Sequence, residues 1–110
     1  MSKRTIDSLH FLGIEWKDVF IRKESYLGGA PAIVLIDPEE GPLTIVTVDL
    51  EHSYGHVPAE GCFWVKGYSE NEGLADALVT AGVVERTGRT VKFGPYDAFA
   101  EECRLVGEYI

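Results

Sequence analysis

The stretch Ala30-Pro31-Ala32-Ile33-Val34-Leu35-Ile36 runs without a charge and ends abruptly in Asp37-Pro38-Glu39-Glu40-Gly41-Pro42. The run is strand-sized, and its continuous apolar character predicts a strand buried on both faces. Two prolines and a glycine in the following segment predict a turn. Beyond it, Leu43 to Leu50 carries the β-branched residues Thr44, Ile45, Val46, Thr47 and Val48, which pack well on a pleated surface. The two runs predict an antiparallel hairpin, which requires a larger sheet and something to cover it.

The rest of the chain is read around that hairpin. Residues 17–27 predict a strand with Val19 and Ile21 on one side and Phe20 and Arg22 on the other, ended by Gly28-Gly29. Cys62 to Lys66 predicts another short strand, with Phe63 and Val65 on one face and Cys62 and Trp64 on the other. Ser69 with Glu72 matches a capping box. Leu74, Ala77, Leu78 and Ala81 follow as one apolar stripe, and Gly82 stands where a left-handed cap belongs, so a helix is expected over 69–81. Val83 to Phe93 reads as a second hairpin turning at Thr87-Gly88. Residues 1–16 read as a short N-terminal helix or arm, from the spacing of Ile6, Leu9, His10 and Leu12. Tyr96, Phe99, Cys103, Val106 and Ile110 predict a C-terminal helix beginning near Pro95. Strands and helices do not alternate strictly. The expected fold is one α+β domain over 1–110, with a mostly antiparallel sheet of about five strands and one or two packed helices.

Charge narrows the function. Ten Lys and Arg stand against 18 Asp and Glu, a formal net charge of −8. Residues 1–23 carry a surplus of two positive charges, and residues 24–110 a surplus of ten negative ones. An acidic body repels a phosphate backbone, so direct nucleic-acid binding is disfavoured and a basic protein partner is favoured. The longest apolar run is far short of the roughly 18–20 residues of a spanning helix, and no apolar stretch follows the basic start. A cytoplasmic location without membrane or cofactor is expected. Cys62 and Cys103 read as free, partly buried thiols.

Motifs for chemistry are sparse. His52 and His56 lie four residues apart with Asp49, Glu51, Glu60 and Cys62 nearby, but the spacing matches no closed zinc set. A small metal-dependent or Cys/His hydrolase centred on His52, His56 and Cys62 is the alternative functional reading. Cys103 lies beside Glu101 and Glu102, which raise a thiol pKa. The acidic pairs Glu39-Glu40, Glu70 with Glu72, and Glu101-Glu102 read as solvated faces. No Walker or dinucleotide fingerprint is present. Candidate partner contacts are Glu39, Glu40, Glu51, Glu60 and Glu70, with the aromatics Trp64 and Tyr68.

Five short blocks carry a family resemblance: Ala32-Ile33-Val34-Leu35, Thr47-Val48-Asp49-Leu50, Asn71-Glu72-Gly73-Leu74, Thr87-Gly88-Arg89 and Gly94-Pro95-Tyr96. Over residues 17–105 the chain resembles domain-of-unknown-function family 4313, small proteins of phages and conjugative elements. It departs at Asp49, where the family carries Asn. The family has no established activity, so the resemblance transfers no catalytic residue. It implies a mobile-element accessory protein that binds other proteins, in its sharper form an anti-CRISPR or other inhibitor of host defence.

Overall fold

The computed structural model describes residues 3–110. Eight strands form two antiparallel sheets. The first sheet joins β1 (Thr5–Phe11), β2 (Ile14–Ser25), β3 (Pro31–Asp37) and β4 (Gly41–Ile45) in sequence order. The second has β5 (Thr47–Val48), β6 (Cys62–Lys66), β8 (Ala98–Leu105) and β7 (Val84–Phe93) in that spatial order. Two short helices, α1 (Leu50–Tyr54) and α2 (Leu74–Thr80), complete the α+β architecture.

The β3–β4 hairpin forms as its sequence requires, and its second run serves both sheets. It divides at the buried Val46, whose amide donates to Ile33 O at 2.9 Å while its carbonyl accepts from Lys66 N at 2.8 Å. The expected single strand from Leu43 to Leu50 is thus β4, a bend and β5. Main-chain hydrogen bonding passes from one sheet into the other through this residue.

Three expectations are corrected. The N-terminal helix or arm is a β-hairpin, although Met1 and Ser2 lie outside the described residues. Leu12 and Gly13 have φ of 58° and 72°, the pair of positive values that a two-residue hairpin loop requires. The helix-like interval between Ile6 and Leu9, both buried, is a change of parity within β1 opposite Asp18, whose φ is 54°. The expected second hairpin at Thr87-Gly88 is a bulge within β7. Arg86 pairs with Cys103 and Thr90 with Glu101, so the residues between them leave the ladder, and Gly88 supplies a φ of 99°. The chain reverses instead after Phe93. The segment expected as a C-terminal helix is β8. This strand lies between β6 and β7 with buried residues on both faces, Ala100 and Glu102 on one and Cys103 on the other, so apolar residues occur on either side and mimic helical spacing.

The expected helix over 69–81 is shorter. Ser69–Asn71 is a single 3-10 turn without a side-chain cap, and Gly73 stands at the N-cap of α2. The stripe is correct: Leu74 and Leu78 are buried and Ala77 and Ala81 pack on the core, with Gly82 at a φ of 76°. Helix α2 packs on β1 of the first sheet and on β6 and β7 of the second. The main core joins Ile6, Leu9, Val19, Ile21, Ile33 and Leu35 of the first sheet to Phe63, Val65 and Cys103 of the second.

Candidate partner-binding groove

The outer face of the second sheet carries Val48, Trp64 and Glu102 in one cross-strand row. This row is covered, because the segment expected as an open loop from Glu51 to Gly61 begins with α1. Asp49 caps the helix by accepting from His52 N at 3.4 Å, and Gly55 ends it with a φ of 73°. Leu50 of α1 packs with Trp64 and Ala100, and the chain from Gly55 to Gly61 then crosses the sheet. Trp64, expected as a partner contact, is only 1% exposed and is corrected to a supporting residue. Its indole N–H donates to His56 O at 3.0 Å.

Beside Trp64 lies a buried carboxylate. Glu102 is 1% exposed. Its Oε1 accepts from Thr87 Oγ1 at 2.5 Å, and its Oε2 accepts from Ala59 N at 2.9 Å and Arg89 Nη1 at 2.7 Å. The Arg89 guanidinium also donates to Val57 O at 3.4 Å and lies 5.2 Å from the Trp64 ring centroid. Burial pushes the Glu102 pKa up, but the Thr87 and Ala59 hydrogen bonds and the Arg89 charge outweigh it. The carboxyl is held below its ordinary value. The bulge at Arg86–Thr90 is what turns Thr87 and Arg89 onto Glu102. Through His56, Val57 and Ala59 this network pins the loop at three backbone positions.

The pinned loop forms one wall of a groove of about 220 Å³, and the Gly28-Gly29 turn forms the opposite wall. Ala30, Pro31, Pro58 and Cys62 line it, with Glu51 and Glu60 at its edges. Glu51 lies across the turn so closely that a β-carbon at Gly28 would stand 2.5 Å from its Oε2. Leu27, 97% exposed, projects from the same turn, and exposed Val57 borders the groove opposite. Neither Glu51 nor Glu60 holds a cation among the described residues, whereas Lys3, Arg22, Lys66, Arg86, Arg89 and Arg104 are each paired with a carboxylate.

The other expected contacts lie elsewhere. Glu39 and Glu40 sit on the β3–β4 turn, where the Asp37 carboxylate accepts from both their amides at 3.1 and 2.8 Å. Glu70 is paired with Lys66 Nζ at 2.6 Å, and that ammonium lies 5.1 Å from the Tyr68 ring centroid. Tyr68 meets Phe93 edge-on at 5.7 Å, and Tyr54 also contacts Phe93, with ring centroids 5.3 Å apart.

Among the described residues, no hydrogen bond joins the side chains of His52, His56 and Cys62, the residues of the hydrolase reading. The exposed His52 is paired with Asp49 at 3.0 Å, and His56 is engaged through its carbonyl. Among the described residues, no three His, Cys, Asp or Glu side chains are grouped as metal ligands. Burial, then the Glu102 charge, raises the Cys62 pKa; burial, then Glu101, pushes Cys103 up to about 12. Both cysteines are buried and free, and they lie on opposite faces of the β6–β8 pair, since Cys62 pairs with Arg104 and Phe63 with Cys103. A maleimide at neutral pH is therefore expected to label neither thiol in the native protein and both after denaturation. Fast native labelling, read by intact mass, would contradict this burial.

Sequence reasoning missed Glu102 and Arg89 because Glu101-Glu102 reads as a solvated pair. Strand alternation, once β8 is recognised, separates the two residues onto opposite faces. It also missed Ser8, whose hydroxyl donates to Glu15 Oε2 at 2.6 Å and lies 3.5 Å from His10 Nε2. Glu15 approaches the same ring nitrogen at 3.7 Å. The hydroxyl proton goes to the carboxylate and nothing orients the imidazole, so the cluster lacks the order of nucleophile, base and orienter. No family model matches the chain, and neither a curated protein nor a solved structure matches it.

Proposed function

We propose that this chain is a non-enzymatic protein-binding module whose groove receives a basic segment of a partner between the Gly28-Gly29 turn and the 57–61 loop. One observation carries the reading: Glu51 and Glu60 stand unneutralised at the edges of an apolar-lined groove whose wall is held in place from beneath. Unpaired carboxylates beside exposed Leu27 and Val57 combine electrostatic steering with apolar contact. The resemblance to family 4313 supports the sharper form, a phage or conjugative-element protein that inhibits host defence. An acidic surface can occupy the basic groove of a nuclease or CRISPR effector without being a substrate for it. No helix among the described residues is long and apolar enough to cross a membrane.

The test is affinity capture from host lysate at low and high salt, followed by binding measurements on the retained protein. Glu51→Lys with Glu60→Lys is expected to weaken binding at least tenfold at low salt and to flatten its salt dependence. Glu39→Lys with Glu40→Lys, remote from the groove, is expected to leave affinity within about twofold. Equal losses from both pairs would show a diffuse charge effect, and no loss from the first would remove the groove from the reading.

A further inference from the structure

Residues 56–60 cross the outer face of the second sheet as a strap between two left-handed glycines, Gly55 with a φ of 73° and Gly61 with a φ of 76°. Among the described residues, the strap's main-chain hydrogen bonds lie only at its ends. His56 N donates to Leu50 O at 3.0 Å, closing α1, and Ala59 O accepts from Cys62 N at 2.9 Å, in the turn that enters β6. Neither bond reaches across to β8 or β7. Three side chains of the sheet hold the strap instead, each through its backbone. Trp64 of β6 donates to His56 O, Arg89 of β7 donates to Val57 O, and Glu102 of β8 accepts from Ala59 N.

The strap buries little of itself. Val57, Ala59 and Glu60 are exposed, and Pro58 is its one half-buried apolar side chain. What it covers, Trp64 and Glu102, is buried. Hydrogen bonds rather than a packed core therefore keep it closed, and segments of that kind open at lower free energy than core strands do. Opening does not leave Glu102 without partners, because the Thr87 hydroxyl and the Arg89 guanidinium still donate to it. The buried charge therefore does not bar the motion.

We infer that the strap is a hinged cover, which opens as one unit about Gly55 and Gly61 while both sheets stay folded. His56, Val57 and Ala59 lie within four residues of chain, a span too short to release at one anchor while the others hold. Pro58, whose ring fixes φ, stiffens its middle. Opening takes away one wall of the groove and uncovers the Trp64 ring. The motion needs only the anchors and the hinges, and it takes place whatever the groove binds. A ligand seated against the closed wall holds the strap shut.

Hydrogen exchange of the whole chain, followed by NMR, tests this motion. Ala59 N–H and Trp64 Nε1–H report the strap, and the amides of the β6–β8 ladder report global unfolding. Corrected for intrinsic rates, the two strap protons are expected to share one opening constant, at least about tenfold larger than that of the ladder. Trp64→Phe keeps a packed ring but removes the N–H, and is expected to speed Ala59 exchange about tenfold. Arg89→Ala, which removes another anchor, is expected to speed both strap protons. Asn71→Ala acts where the open strap changes nothing, since Asn71 is buried and bonded to Thr44 and Ile45. It is expected to speed ladder exchange at least about tenfold and to leave both strap protons within about twofold. Thr44→Val, a milder change at the same site, makes the same comparison if Asn71→Ala does not fold. Strap protons that speed up together with the ladder in either variant would overturn the inference, because the strap would then open only with the whole protein. So would Ala59 exchange unmoved by Trp64→Phe, because the anchors would then act separately.

Discussion

Glu102→Gln is expected to lower the free energy of unfolding by about 3 kcal/mol at neutral pH, with the melting temperature falling by at least about 10 °C. Glutamine keeps the shape of glutamate but turns one acceptor oxygen into a donor. That donor then faces the Thr87 hydroxyl, or the Ala59 amide and the Arg89 guanidinium, all of which donate in the native protein. A buried donor left against donors costs the desolvation that the ion pair had offset. Arg89→Ala is expected to cost less than Glu102→Gln, because Arg89 is half exposed and water can replace part of its contact.

The pH dependence has a definite sign. The Glu102 carboxyl is held below its ordinary value in the folded protein, so its contribution is fully present above the unfolded-state pKa of about 4.3. It is lost as the pH falls through the lower, folded value. The stability gap between the natural protein and Glu102→Gln is therefore constant near neutrality and narrows below about pH 4. Urea unfolding across that range measures it. A gap that stays constant down to pH 2 would mean that the folded protein does not select the ionised form of Glu102.

The second large effect is expected at Asn71. This residue is fully buried, accepts a hydrogen bond from the Thr44 hydroxyl, and donates through Nδ2 to Ile45 O at 2.6 Å. It ties β4 to the turn that leads into α2 at the place where the first sheet bends into the second. Asn71→Ala leaves two buried polar groups without partners and is expected to destabilise the protein by about 2–4 kcal/mol. Thr44→Val alone strands the Asn71 oxygen. The double variant Thr44→Val with Asn71→Ala is expected to cost less than the sum of the two single changes, because the apolar pair leaves only the Ile45 carbonyl unmet. Strict additivity in a double-mutant cycle would show that the two side chains act independently.

Several elements were legible residue by residue. The uncharged run from Ala30 to Ile36 and the Asp37–Pro42 turn have one economical solution, and the hairpin forms there. Cys62 to Lys66 alternates as expected, and Leu74 to Gly82 carries its apolar stripe and left-handed terminus. These features depend on local chemistry: branched side chains that favour extended backbone, prolines that restrict φ, and a glycine that tolerates positive φ.

Tertiary packing decided the rest. Spacing alone could not separate a strand covered on both faces from a helix, so Ala98–Leu105 read as helical until β6 and β7 were placed on either side of it. Gly88 permits a turn or a bulge, and its neighbours' pairing with β8 selected the bulge. The candidate contacts divided in the same way. Glu51 and Glu60 came together only because the chain returns past the Gly28-Gly29 turn, while Trp64, on the face opposite Phe63 and Val65, was buried by α1 and the loop beyond it. Local sequence determined which segments extend and which turn. Which face each residue presents, and whether a carboxylate such as Glu102 meets water or an arginine, was decided by contacts between residues far apart in the chain.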